Sequence, residues 1–390
     1  MILLFYKRLL EPGGAERLLI NQYLELKKLG YEVKIMSRSI APHDFFQDIE
    51  DEHLILLGNN PFIACLKAMF IMIRTPSVKI ICSSGHMDIF LYTFFGFKNY
   101  YLQIHHPAFM SFNDFDKYCF FYKKKFNVFT KSNFGAKVFL DIKASLPLLQ
   151  KALINIRGLL SLIALKCAKK IFVLSELAKN EKKQFFGLDT IVEKGAIHES
   201  LLSYQPEVLK EFDKFEFKFF TLARLDINKR IDVLIDAFSL FLKEHPSSAL
   251  VIGGQGSELE SLKAQAVRKG IQENVIFKGF IPDEEVFSYY SMADIFVSID
   301  WADYRITSYE ALAMGTRVIL SNETDSDVFL EESMYLKLVE PTAASTSHAM
   351  FELLQNKTMI TDNQLNEYLK NYTWSTYTQN ILNHMGLKIA

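Results

Sequence analysis

Cysteine is scarce in this 390-residue chain: Cys65, Cys82, Cys119 and Cys167 are scattered, and no C-x-x-C pair occurs. That argues against a zinc site and a disulfide framework, and it fits a reducing, cytoplasmic setting. Net charge is also nearly absent, at −1. Long apolar runs are missing. The opening MILLFYKR has too short a run for a secretory signal, and the stretch 61–73 is broken by Lys67 and too short to span a bilayer. No internal repeat and no low-complexity tract is found. What remains, 49% hydrophobic with 23% charged residues, is the composition of a folded soluble protein, and the length favours two domains over one core.

The near-zero charge is unevenly spread. Residues 1–200 hold 27 Lys and Arg against 18 Asp and Glu, and the remainder reverses the excess with 17 against 27. The basic surplus concentrates in 101–170, among many of the chain's 34 Phe and 17 Tyr. A basic, aromatic surface suits peripheral contact with an anionic membrane; core helices with solvated lysines have the same composition. Nucleic acid is not expected as a partner, because the clearest motifs of this half are glycine turns and a histidine.

Apolar runs alternate with helical patterns. Residues 2–6 read as a strand, 15–29 as a helix with Ala15, Leu19, Tyr23 and Leu26 on one face, and 31–37 as the next strand. Further strands are expected at 78–83, 100–105 and 170–174. A second series starts near 215, with strands at 216–223, 248–253, 274–279, 293–298 and 316–321. Helices fall between them at about 230–244, 257–269, 283–291 and 306–314. Such alternation predicts α/β architecture with parallel sheets in two Rossmann-type halves. Residues 199–214 read as the linker.

Several residues at the predicted strand ends can carry chemistry. Arg224 and Lys229 lie between a strand end and a helix start, where two cations and helix N–H groups suit a diphosphate; solvated loop charges would read the same way. Gly13 and Gly14 follow the first strand, and Gly253, Gly254 and Gly256 follow a later one; each cluster lets the backbone approach a ligand or simply makes a tight turn. His105 and His106 end a strand, so at most one reaches a ligand. Glu310, in the helical stretch YEALAMG, is placed to accept two hydrogen bonds from a ribose diol, or is an exposed helix carboxylate.

Together and in order, these motifs resemble the retaining glycosyltransferases of family 4. The resemblance is strongest over 217–321, in ARLDINKR (223–230), LVIGGQGSEL (250–259), VIFKGFI (275–281), ADIFVS (293–298) and YEALAMG (309–315). PGGAER (12–17), IHHP (104–107) and NYTW (371–374) match weaker family segments. The resemblance implies the GT-B fold, two Rossmann-like domains facing each other across a cleft. An acceptor-binding domain over 1–205, a nucleotide-sugar-binding domain over 206–374, and a C-terminal helix at 375–390 crossing back are expected.

It also implies roles. Arg224 and Lys229 hold the donor diphosphate, Gly254 and Gly256 admit it, Phe280 lies beside the base, and Glu310 binds the ribose. His105 faces the donor sugar, and Gly13 and Gly14 line the site. No metal ion is required and no cofactor is expected, because cations and helix termini stabilise the leaving group. One departure stands out: Ala302 replaces a family glutamate that contacts the donor sugar, and Asp303, or with less support Asp300, is offered as its substitute. The implied function is sugar transfer from a UDP- or GDP-sugar to a glycan acceptor, a lipid-linked one on the basic-aromatic argument. The place is cell-surface polysaccharide or lipopolysaccharide synthesis at the cytoplasmic face of the membrane. A nucleotide-sugar-binding subunit without turnover and a GT-B nucleotide-sugar epimerase are the alternatives.

Overall fold

In the computed structural model, residues 1–10, 14–41, 46, 48–75, 77–105 except 97 and 98, 160, 162–195, 197–300, 305–324, 327–355 and 362–387 are described. They form two compact units. One comprises Met1–Gly195 with Trp374–Ala390, the other Ala196–Thr373.

The first unit is built on β1 (Ile2–Tyr6), β2 (Val33–Ser37), β3 (Leu54–Leu56), β4 (Lys79–Cys82), β5 (Tyr100–Ile104), β6 (Lys170–Val173) and β7 (Ile191–Val192). All pairings are parallel, in the order β3-β2-β1-β4-β5-β6-β7. Three helices matter below: α1 (Gly14–Lys28), α2 (Pro61–Arg74) and α3 (His86–Gly96). α2 starts where Pro61 fits the first helical position and the Asn60 side chain accepts from the Phe62 and Ile63 N–H groups. The sequence reading treated this stretch only as too short to cross a membrane.

The helix Trp374–Met385 is part of this first unit. Trp374 and Tyr377 are buried, the Tyr377 hydroxyl accepts from Gln103 Nε2 at 2.8 Å, and Asn380 and His384 both reach Glu193. A side chain at Gly195 would collide with the Tyr377 ring at 2.6 Å, so the chain leaves the unit tight against this helix. Of the basic 101–170 stretch, 106–159 and 161 lie outside the described residues. Its end is anchored by Lys170 Nζ donating to the His384 carbonyl at 2.7 Å.

The second unit carries β8 (Phe217–Leu222), β9 (Ser248–Gly253), β10 (Val275–Gly279), β11 (Ile295–Ser298), β12 (Arg317–Ser321) and β13 (Leu336–Val339). They too are parallel, in the order β10-β9-β8-β11-β12-β13. Alternate residues feed two separate cores. Phe219, Leu250, Ile252, Ile295 and Ile319 join the core under the helices Ile231–Phe241 and Ala343–Gln355. Phe220, Val251, Phe296 and Val318 join the one under Asp283–Met292 and Ile306–Ala313. A sheet covered on both faces needs apolar residues at every position, which is why these strands read as continuous runs. The stretch read as a linker, 199–214, is not loose: Leu201 and Phe212 are buried in the second of these cores.

Candidate functional site

Strand order locates the site. From β8 the chain runs outward through β9 to β10, then returns to place β11 on the other side of β8. Parallel sheets bind ligands beyond the strand C-termini at such a switch, because the loops there diverge and leave a crevice. Arg224 and Lys229 follow β8, and Asp300 and Arg305 follow β11, so the loops on the two sides of the switch supply all four.

Lys229 is joined across that switch. Its Nζ donates to Asp300 Oδ2 at 2.6 Å. Asp300 is buried and fully engaged: Oδ1 lies 2.6 Å from Arg305 Nη2 and accepts from Ser298 Oγ at 2.9 Å, and its carbonyl accepts from Arg305 Nη2 at 2.8 Å. Burial works against charge on this carboxyl, but Arg305 and Lys229 outweigh it and hold its pKa below the ordinary value. Burial pulls the Lys229 pKa down, with Asp300 opposing. Asp300 is therefore the anchor of the cations, not a spare carboxylate for a sugar.

Only one of the two expected cations is fixed. The Arg224 side chain is 67% exposed and pairs with Asp226 at 3.3 Å, near its own backbone. Its guanidinium is available to an incoming anion. Arg230, the next residue after Lys229, was given no role by sequence reasoning. Its backbone is left-handed, with φ 52°, and its buried guanidinium pairs with Glu323 at 2.7 Å and donates to the Ile299 carbonyl at 3.0 Å. This ties the loop after β8 to those after β11 and β12. The left-handed turn at Arg230 directly follows Lys229, and no glycine in INKR advertises it.

The glycines have a different immediate cause from the expected one. A Cβ on Gly254 would lie 1.9 Å from the Ala223 carbonyl oxygen, and one on Gly256 would lie 2.4 Å from that of Leu225. Gly254 also has φ +117°. The loop after β9 thus packs backbone-to-backbone on the loop carrying Arg224. Leu225 N–H donates to the Gln255 carbonyl at 2.8 Å, and Gly254 N–H donates to that of Gly279 at 2.6 Å. The glycines position the cation loop. Phe280 follows β10 with its ring largely exposed.

Glu310 is the fifth residue of the helix Ile306–Ala313 and is buried, its Oε2 accepting from the Tyr290 hydroxyl at 3.2 Å. It is not an exposed helix carboxylate. Gly13, His106, Ala302 and Asp303 lie outside the described residues. Gly14 begins α1 with nothing among the described residues within 4 Å of where a Cβ would sit.

The first unit has a similar switch between β1 and β4. Lys7, after β1, pairs with Asp88, after β4, at 2.9 Å. Gly85 permits this approach, since a Cβ there would meet that of Lys7 at 2.8 Å. His105 directly follows β5, with both ring nitrogens buried and, among the described residues, unpartnered. Burial pushes its pKa down to about 4, so the ring is neutral at neutral pH. His86 is lowered to about 4 as well, by burial against the pull of Asp88.

A pH dependence follows. Unfolded, each ring takes its proton near 6.5; folded, only near 4. Their effect on stability is therefore absent above pH 6.5 and becomes a growing penalty as pH falls from 6.5 toward 4. Thermal unfolding should show this acid loss, and a His105→Gln variant should show less of it. A wild-type profile flat across that window would contradict the buried neutral rings.

Among the described residues one group has donor atoms spaced for a metal: Glu50, Glu52 and His53. It precedes β3, at the N-terminal end of the parallel strands and so away from the C-terminal ends above, and its carboxylates are exposed.

Comparison with known proteins agrees with this layout. Residues 208–372 match the family described as Glycosyl transferases group 1. The alpha-monoglucosyldiacylglycerol synthase of Streptococcus pneumoniae is 35% identical over 116 residues, 30% of this chain and 26% of that protein. The GDP-mannose-dependent alpha-(1-6)-phosphatidylinositol monomannoside mannosyltransferase of Mycolicibacterium smegmatis is 35% identical over 106 residues, 25% of this chain and 28% of its own length. The matched stretch thus spans about a quarter of these curated relatives. Over the whole chain, the crystal structure of Anabaena HepE in complex with UDP superposes with a TM-score of 0.72 at 16% identity, covering 99% of this chain and 100% of that one. The fold is GT-B, with two Rossmann-like units.

Proposed function

We propose, from a second unit whose residues 208–372 match the family described as Glycosyl transferases group 1, that this chain transfers a sugar from a nucleotide-diphosphate donor to a glycan acceptor. The observation that carries the reading is the Lys229–Asp300 bond across the β8–β11 switch. It holds an ammonium, partly withdrawn from water, where the leaving diphosphate would sit. Charge builds on that diphosphate as the anomeric C–O bond breaks, and fixed cations favour the broken state over the intact donor. Arg224 closes on the diphosphate from the exposed side as the bidentate partner. No metal is needed in this scheme. Glu310 takes the ribose hydroxyls, Phe280 lies beside the base, and neutral His105 offers a hydrogen bond to the donor sugar. Retention at the anomeric carbon belongs to the same reading.

The acceptor is proposed to be lipid-linked. Support comes from the two relatives above, named as a monoglucosyldiacylglycerol synthase and a phosphatidylinositol monomannoside mannosyltransferase. Peripheral contact with the inner face of the membrane follows from such an acceptor.

Protection from thermal unfolding by UDP-, GDP- and ADP-sugars would identify the donor. Arg224→Ala and Lys229→Ala should each lower donor turnover by about ten- to a thousand-fold while the protein stays folded. Wild-type turnover in both would remove the diphosphate assignment. Donor protection with no turnover on any acceptor would instead fit the binding-subunit reading, which rests on Ala302. In that assay Asp303→Ala shows whether the neighbouring aspartate serves the sugar.

A further inference from the structure

The helix α2 is turned inside out. It packs Ala64, Ala68 and Met72 inward, at a spacing of four. Phe62, Leu66, Phe70 and Ile73 point outward, with Phe62 72% and Phe70 54% exposed. A surface helix ordinarily does the reverse. Single exposed leucines are commonplace, but four large side chains along one helix face form a patch. α3, packed against α2, exposes Leu91 and Phe94 in addition. The fold gains little from large groups at these positions, since Ala64, Ala68 and Met72 already fill the core side.

Charge says what covers the patch. α2 carries Lys67 and Arg74 and no carboxylate. Lys67 shares the exposed face, and the Arg74 guanidinium lies 4.0 Å from the centre of the Phe70 ring. The single carboxylate of α3, Asp88, is committed to Lys7 at 2.9 Å and to Arg38 at 3.6 Å. A second copy docking about a two-fold axis would lay this face on itself and bury cations with no carboxylate from either helix to pair them. An anionic bilayer meets both requirements: acyl chains for the aromatics, and phosphates for cations whose methylene stems run along the apolar surface. No helix among the described residues is long and apolar enough to cross a membrane, so contact would be in the plane.

We propose that α2 lies flat in the headgroup boundary of an anionic membrane, with Phe62, Leu66, Phe70 and Ile73 toward the acyl chains and Lys67 and Arg74 on lipid phosphates. The inference stands on α2 and does not rest on the donor reading. It adds to the basic stretch 101–170, most of which lies outside the described residues, a helix that composition alone did not single out.

Flotation of the full chain with phosphatidylcholine vesicles, with and without phosphatidylglycerol, tests it. The wild type should float with the anionic vesicles. Leu66→Glu combined with Phe70→Glu should weaken that binding by at least about tenfold. Lys67→Gln combined with Arg74→Gln should weaken it by about fivefold per charge, on anionic vesicles only. Nucleotide-sugar protection, read on the same preparations, should not change, which separates failure here from failure at the donor site. If the glutamate pair does not fold, the glutamine pair decides. The proposal falls if the wild type ignores anionic vesicles, or if both pairs float like it. It also falls if sedimentation shows a dimer that the glutamate pair dissolves, since a second copy then owns the face.

Discussion

Gly254→Ala is expected to cost the second unit on the order of 4 kcal/mol or more, enough to leave little of it folded. Two penalties coincide at this residue. The backbone has φ +117°, where an L side chain is strained, and the new methyl would fall 1.9 Å from the Ala223 carbonyl oxygen. Relief would require the loops to separate, and the Leu225–Gln255 and Gly254–Gly279 backbone bonds resist that. Gly270 is the matched control. It also has positive φ, at +70°, but nothing lies within 4 Å of its Cβ position, so Gly270→Ala should cost only about 1 kcal/mol. Urea midpoints of the two variants, with unchanged slopes, make the comparison. Equal losses would mean that the loop contact at Ala223 is not as tight as described. Any Gly254→Ala protein that does fold should lose donor protection too, because the displaced loop is the one that carries Arg224.

Asp300→Ala is the second large effect. It would leave Lys229 and Arg305 with no carboxylate in a place from which water is largely excluded. Stranding one partner of a buried pair costs about 3–5 kcal/mol, and here two cations share the loss. Asp300→Asn keeps the shape and should fall between, since an amide can still accept from one cation. Turnover should drop in both, for Lys229 would no longer be aimed. The acid response of the pair carries its own sign. The Asp300 carboxyl is held below its ordinary 3.8, so its contribution is complete above that pH and fades only as pH falls through the lowered value. The histidine penalty in the first unit begins at a far milder pH. A stability loss traced to Asp300 near pH 6 would contradict the tight pairing with Lys229 and Arg305.

Much of the fold was legible because a doubly covered parallel sheet writes itself as unbroken apolar runs. β8, β9, β11 and β12 sit within one or two residues of the stretches expected from VIG, FVS and VIL patterns. The strands not anticipated, β3, β7 and β13, are only two to four residues long, too short to stand out from the apolar residues of loops and helices. α2 escaped for a different reason. Its apolar residues surround it on all sides, so periodicity could not distinguish an inner face from an outer one.

The candidate site was half legible. Residue types and the order of the motifs pointed to Arg224, Lys229 and Glu310, but not to what holds them. Asp300 lies 71 residues from Lys229, and only the return of the chain to place β11 beside β8 brings them together. The Arg230–Glu323 pair depends on the same non-sequential order. The glycine turn after β9 was visible, yet its cause was not: Gly254 and Gly256 make room for a neighbouring backbone, and a pattern of glycines cannot say whether the visitor is a ligand or the chain itself.

The second unit begins and ends at one place. Ile197 and Thr373 form a parallel bridge, and Ile197 N–H donates to the Tyr372 carbonyl at 3.2 Å. Residues 196–373 are thus an insert with touching ends, spliced between Gly195 and Trp374 of a host that closes around its own last helix. Such an insert imposes almost no loop-closure entropy on the host, however many residues it contains. In genetic terms it is a cassette. Exchanging it whole for the corresponding segment of a group 1 glycosyltransferase would replace the matched unit while leaving both stubs of the host, and the α2 face, in their own sequence context.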